Sequence, residues 1–251
     1  MANNDELRNN LFSFRDAFKD YTDCYTVIGG TACFILMDDA AQDFRATTDI
    51  DMILVLEDKR EDFGAIFWEY IIAGGYKCEQ KKDETHYYRF IEPKPGFPEQ
   101  IELFSRRADF KLDQRIIPVF ISEDISSLSA IALDDDFYSF MMRGRKVVDN
   151  ICVLDADYLI PFKMYAWLNN KDDRDNNVRM VNSKDIKKHK KDVFLLMSLL
   201  NPDSKIATSG SVRKAVERFL LEIMEDSFEP KDINIRRSKA EMVDILRNIY
   251  L

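Results

Sequence analysis

The sequence predicts an α/β (α+β) chain, a small mixed sheet flanked by helices and followed by a helical C-terminal domain, and three observations predict it. The apolar stretch Tyr25-Thr26-Val27-Ile28 meets Gly29-Gly30 and continues into the helix-compatible run Thr31 to Met37, which reads as strand, tight turn and helix start. A second apolar, β-branched run, Asp49 to Leu56, opens with two aspartates two residues apart. Around Asp155 the pattern changes, and the remainder carries helical spacing almost throughout. The division expected from this is residues 1–153 as a mixed α/β domain and 154–251 as a helical domain.

The elements follow in order. Leu11, Phe14 and Phe18 recur at helical spacing within Leu7 to Tyr21, which predicts an amphipathic opening helix. Tyr25 to Ile28 and Asp49 to Leu56 are predicted as central strands. Phe63, Ile66, Phe67, Tyr70 and Ile71 place a helix over Asp62 to Ala73, which Gly74-Gly75 stops. Tyr87 to Ile91 and Gln100 to Phe104 flank the turn-rich Glu92 to Pro98 and are predicted to pair; a strand over Ile116 to Ile121 follows. Helices are predicted over Asp155 to Asn169, Ser183 to Leu200, Ser211 to Met224 and Ser238 to Ile249. The polar stretch Asn169 to Asn182 is expected to be a mobile loop.

Composition narrows the chemistry. The 251 residues are 46% hydrophobic with no apolar run near the about 20 residues of a membrane span, and Met1 to Glu6 shows no basic, apolar leader. A soluble, cytoplasmic protein with no membrane partner is expected. Cys24, Cys33, Cys78 and Cys152 lack metal-ligand spacing and read as buried thiols. Only His86 and His189 are present, which disfavours a histidine-rich zinc site or a Ser-His-Asp triad. Carboxylates remain as the chemical groups. The net charge of −9 opposes a protein coated in nucleic acid, although Lys184 to Lys191 holds five lysines and Arg143-Gly144-Arg145-Lys146 forms a second basic cluster. Each is either a local basic groove or a solvated face.

On a strand, Asp49 and Asp51 project from one face, where both can meet a single hard cation such as Mg²⁺. Upstream, Gly29 and Gly30 allow backbone N–H groups close to a phosphate at a helix N-terminus. Alone, an Asp-x-Asp is common turn chemistry and a Gly-Gly pair a strand end; in this order they combine an anion cradle with a cation holder. Glu102 alternates with Ile101 and Leu103, so it is either a solvated strand glutamate or, on a strand beside Asp49 and Asp51, a third carboxylate for a two-metal centre. Lys163 falls in the apolar stripe of Leu159, Ile160, Ala166 and Trp167. Its ammonium needs an anion, either a nucleotide phosphate or a carboxylate of the first half.

These residues resemble the nucleotidyltransferase superfamily, in particular the branch with Gly-Gly-x-Ala and Arg-x-Thr-x-Asp-x-Asp that includes the AbiEii-type abortive-infection toxins. The matching stretches are Gly29-Gly30-Thr31-Ala32 and Arg45-Ala46-Thr47-Thr48-Asp49-Ile50-Asp51. Lys163 resembles that family's helical lysine and Lys184-Asp185 its later Lys-Asp pair. Where the family often has another acid within a turn of that pair, this chain has Lys188 and His189, then Asp192. The resemblance implies Mg²⁺-dependent (or Mn²⁺-dependent) transfer of a nucleoside monophosphate from an NTP to an acceptor hydroxyl, and for the toxin branch an RNA acceptor with an antitoxin protein as partner.

Under that resemblance, Asp49 and Asp51 hold Mg²⁺, and Glu102 holds a second metal or deprotonates the acceptor. Gly29, Gly30 and Thr31 receive the triphosphate, Arg45 and Thr47 brace the loop before Asp49, and Lys163 neutralises developing charge. Asp185 either contacts Lys163 or the nucleotide, or complements a helix dipole. Three classes of function stay open: an RNA-directed, toxin-like transferase, a transferase for a small acceptor such as a sugar or antibiotic, and a non-catalytic nucleotide-binding module.

Overall fold

The computed structural model describes residues 4–45, 47–55, 60–81, 87–104, 118–121, 134–178 and 182–251. Leu56, His86 and Ile116, which the sequence reading used, lie outside the described residues, as does the side chain of Asp185. The fold is mixed α/β. The chain forms two compact units, one of residues 1–125 and 145–155, the other of residues 126–144 and 156–251.

The first unit carries an eight-stranded mixed sheet. Its strands are β1 (Tyr25–Ile28), β2 (Asp49–Leu54), β3 (Lys77–Lys81), β4 (Tyr87–Ile91), β5 (Gln100–Phe104), β6 (Pro118–Ile121), β7 (Arg145–Val148) and β8 (Ile151–Leu154), in the order β6-β3-β4-β5-β2-β1-β8-β7. β2 runs parallel to β5 and antiparallel to β1, while β4 pairs antiparallel with β5 as the sequence predicts. Helices α1 (Asn4–Phe18), α2 (Gly29–Asp39) and α3 (Arg60–Gly74) also belong to this unit.

Alternation sorts the sheet into two faces. Tyr25 packs edge-on against Phe14 and Phe18 of α1 and stacks on Phe63 of α3, and Phe90 of β4 meets Phe67 and Trp68 of α3 edge-on, with ring centroids 5.6–6.2 Å apart. By register Val27, Met52, Ile50, Ile101 and Leu103 share that apolar face. Asp49, Asp51 and Glu102 therefore point to the opposite one. α3 ends as the sequence predicts: Gly75 is left-handed (φ 66°), and the amides of Gly75 and Tyr76 bond back to Ile72 and Ile71.

The second unit is helical: α4 (Asp135–Arg143), α5 (Ala156–Asp175), α6 (Ser183–Leu196), α7 (Gly210–Glu225) and α8 (Lys239–Tyr250). α4 packs on α5 through Phe137 against Phe162 and Tyr165 and Phe140 against Tyr158. Trp167 of α5 meets Phe219 of α7 edge-on at 5.3 Å. Pro161 interrupts α5 and cannot donate to the carbonyl of Asp157 one turn back. That carbonyl instead accepts the Tyr250 hydroxyl at 2.6 Å, so the end of α8 repairs the ladder of α5.

Two expectations change. The polar stretch from Asn169 is not a loop at its start, because α5 continues to Asp175 and is held there by ion pairs of Lys171 with Glu222 and Asp172 with Arg218. Strand β3, the hairpin β7–β8 and helix α4 escaped the sequence reading. No described helix is long and apolar enough to cross a membrane.

Candidate active site

The turn after β1 places Gly29 in the left-handed region (φ 69°), and a Cβ built there would overlap the Asp51 carboxylate. Glycine is thus required twice, by backbone conformation and by the close approach of Asp51. The residue capping α2 is Ile28, which has no side-chain acceptor for the first-turn amides. A carboxylate or phosphate at that end is favoured by the helix dipole.

The loop entering β2 folds back over the same turn. A Cβ on Gly30 would lie 3.1 Å from the Thr47 hydroxyl and 3.7 Å from an Arg45 guanidinium nitrogen, so both side chains stand over Gly30. The Thr31 hydroxyl donates to the carbonyl of Asp49, and the Thr48 hydroxyl donates to Asp49 Oδ1 at 3.1 Å. Strand, glycine turn, helix start and Asp-x-Asp strand are one stitched unit.

Glu102 sits in register with Asp51 on the adjoining parallel strand, and alternation gives both the same face. Asp49 is two residues before Asp51 and shares it. Glu102 is 5% exposed, and its Oε1 accepts from Arg89 Nε at 3.1 Å and Gln100 Nε2 at 3.0 Å. Eight residues singled out from sequence, Gly29, Gly30, Thr31, Arg45, Thr47, Asp49, Asp51 and Glu102, thus converge within the first unit. Arg89 was missed; the signal for it was a lone arginine in the apolar strand Tyr87 to Ile91, opposite the lone glutamate of Gln100 to Phe104.

Three acids on one sheet face offer oxygen donors suited to a hard divalent ion. Among the described residues, however, no group of three or more His, Cys, Asp and Glu side chains is placed to hold a metal ion, so Asp49, Asp51 and Glu102 share a face without forming a three-carboxylate ligand set. All four cysteines are buried, and burial pushes the Cys78 thiol up to about 12, which removes it as a nucleophile near neutrality.

Lys163 and Asp185 belong to the second unit. Lys163 is 3% exposed, and its ammonium donates to Asp192 Oδ2 at 3.0 Å. The sequence reading left a nucleotide phosphate or a carboxylate of the first half as the anion; the structure pairs the ammonium with a carboxylate of α6. Asp192, 1% exposed, is the partner that reading passed over. Its signal was a charged residue entering the apolar run Val193 to Leu196.

Four residues of the basic segments bond within the chain, while Arg143, Lys146, Lys184 and Lys187 stay exposed. Arg145 donates to Thr26 Oγ1 and to the carbonyls of Thr22, Asp23 and Tyr25. Arg143 donates to the carbonyl of Ala207 at 2.9 Å, Lys146 pairs with Asp155 at 3.8 Å, and Lys190 pairs with Asp226 at 2.5 Å.

No family model matches the sequence, and no curated protein matches it. Two solved structures resemble the fold at low identity. The solution structure of the antibiotic-resistance factor ANT(2'')-Ia is 13% identical, with 88% of this chain and 92% of that chain covered and a TM-score of 0.40. A cytoplasmic RNA terminal U-transferase is 12% identical, with 80% and 66% covered and a TM-score of 0.26. At these values neither likeness bears on activity, which has to be argued from the side chains.

Proposed function

We propose that this chain is a metal-dependent nucleotidyltransferase, moving a nucleoside monophosphate from an NTP to an acceptor hydroxyl. The observation that carries the reading is the register of Asp51 with Glu102, beside a glycine turn over which Asp51 itself leans. An acidic face for a cation and a helix start for a phosphate adjoin there.

Asp49 and Asp51 would hold Mg²⁺ or Mn²⁺, with Glu102 adding charge from the next strand. When bound, the ion supplies Lewis acidity at the phosphoryl group and draws the acceptor hydroxyl toward its alkoxide. Gly29, Gly30 and Thr31 orient the triphosphate through backbone and hydroxyl donors, and Arg45 over Gly30 offers a planar fork for a phosphate. Lys163 and Asp185 are assigned to the nucleotide by resemblance alone. For Lys163, Asp192 would hold the ammonium in place.

For the acceptor, a small hydroxyl compound is the reading we favour, because Arg143, Arg145, Lys146 and Lys190 bond within the fold and the chain carries a net charge of −9. The exposed Lys184 and Lys187 of α6 support the other reading, an RNA acceptor with a toxin-like role and an antitoxin partner. The test is incubation with each α-labelled NTP, Mg²⁺ or Mn²⁺, and either cellular RNA or a metabolite extract. Label is expected in the small-molecule fraction. Label in RNA selects the second reading, and its loss with rising salt would follow the number of lysine contacts. Asp49→Ala and Asp51→Ala should each lower transfer by about a hundredfold or more while circular dichroism stays unchanged. Undiminished transfer in either variant would sink the assignment.

A further inference from the structure

β2 outruns β1. The last pair in the register of these two strands joins Ile28 to Asp51, and after Ile28 the chain leaves the sheet for α2, so Asp49 and Ile50 extend past the end of β1. Carbonyls along a strand alternate between its two sides. That of Thr48 accepts from the Glu99 amide at 3.0 Å and so turns toward β5. That of Asp49 therefore turns to the other side, where β1 no longer runs.

α2 takes the place of the missing strand. Thr31, in its first turn, donates its hydroxyl proton to the carbonyl of Asp49, where a longer β1 would have offered an amide. The residue is 3% exposed. A hydroxyl carries a single proton, and with that proton committed its oxygen presents only lone pairs, which an anionic phosphate repels. Turning the proton to a phosphate would take the bond away from the residue that opens the Asp-x-Asp strand. The Thr31 amide differs, because a first-turn amide has no carbonyl four residues back within its helix.

We propose that Thr31 is a positioning residue: its hydroxyl holds the head of β2, and with it Asp49, while only its amide meets the triphosphate. This rests on the reading that the glycine turn receives an NTP, and it narrows the share Thr31 has in that turn from two donors to one.

Thr31→Val keeps the shape of the side chain and removes the proton. Three measurements on the full-length protein separate a strand-holding hydroxyl from a phosphate donor. They are calorimetric binding of each NTP in EDTA, which keeps the acids from acting through an ion, kcat and KM for transfer, and amide exchange of residues 48–54 followed by mass spectrometry. Thr31→Val is expected to lower kcat by about tenfold or more, the scale on which a misplaced reacting group is felt. NTP Kd should stay within about twofold, and exchange at the head of β2 should quicken. Thr31→Ser restores the proton and should bring kcat and exchange back to near the wild-type values. Thr31→Ala, which lets water reach the Asp49 carbonyl, replaces Thr31→Val if that variant fails to fold.

An NTP Kd raised about tenfold or more with kcat unchanged is what loss of a charge-assisted phosphate bond would produce, and it overturns the proposal. So does unaltered exchange at the head of β2, or a fall in kcat that serine does not restore. Transfer from no NTP by the wild-type chain would overturn the proposed function alone, because NTP binding and exchange still distinguish the two roles of the hydroxyl. Binding of no NTP, with Mg²⁺ or without it, would overturn both.

Discussion

Gly29 shows how much one residue can specify. Its φ of 69° disfavours any side chain, and the Asp51 carboxylate occupies the volume a methyl group would need. Gly29→Ala combines a left-handed conformation with that overlap, so it should cost about 1–3 kcal/mol in urea unfolding. Transfer should fall further than stability explains, since Asp51 has to move to admit the methyl group. A variant with wild-type transfer would separate Gly29 from the site. This residue was legible in sequence because a glycine pair at a strand end and an Asp-x-Asp strand head are local patterns. Arg89 and Asp192 were not. Their meaning lies in partners, Glu102 across a strand pair and Lys163 across a helix pair, and neither pairing leaves a periodic trace.

Among the elements, apolar runs bounded by turn signals and helices with an apolar stripe were read at nearly their full length: β1, β4, β5, α7 and α8. β7 was passed over because it is short and two of its residues, Lys146 and Val147, are exposed, so its burial does not alternate. α4 opens on an acidic run that reads as polar loop, whereas Asp134 caps its own helix and Asp136 accepts from the Ser211 amide at the start of α7 at 2.8 Å. The end of α5 was misread for a related reason: its helicity is supported from outside. Arg218 grips Asp172 with two bonds of 2.6 Å, and those bonds hold the Asp172 carboxyl below the usual carboxylate range. A carboxyl depressed in the folded state stabilises fully above its unfolded value near 4 and loses that contribution as pH falls through the folded value. Arg218→Met should therefore flatten the acid limb of stability against pH. With both groups partly exposed, the change should stay under about 1 kcal/mol. An unchanged limb would show that solvent screening cancels the pair.

On the scale of the whole molecule, the sequence revealed a mixed part followed by a helical one. It did not reveal that residues 126–144 belong with the helices and that the chain then returns for β7 and β8. Each unit has its own reporter, Trp68 in the first and Trp167 in the second. Asp192→Asn removes the carboxylate charge facing the buried Lys163 ammonium, and should cost up to about 3–5 kcal/mol, read mainly in the fluorescence transition of Trp167 in a Trp68→Phe background. The paired change Lys163→Met with Asp192→Leu should recover most of that stability. If Lys163 also meets the nucleotide, the paired variant folds yet transfers poorly; full transfer would confine Lys163 to the core.

The return of the chain also orders the protein's birth. β1 has β2 on one side, available soon after it, but on its other side it pairs with β8, Val27 against Val153. During synthesis that second edge of β1 stays open until the ribosome has released Leu154, well after β2 through β6 have emerged. An open edge beside a buried strand is a template for the wrong partner. Slow translation across residues 122–150 would prolong that exposure, so the interval before β8 emerges is when the nascent chain is most exposed to mispairing.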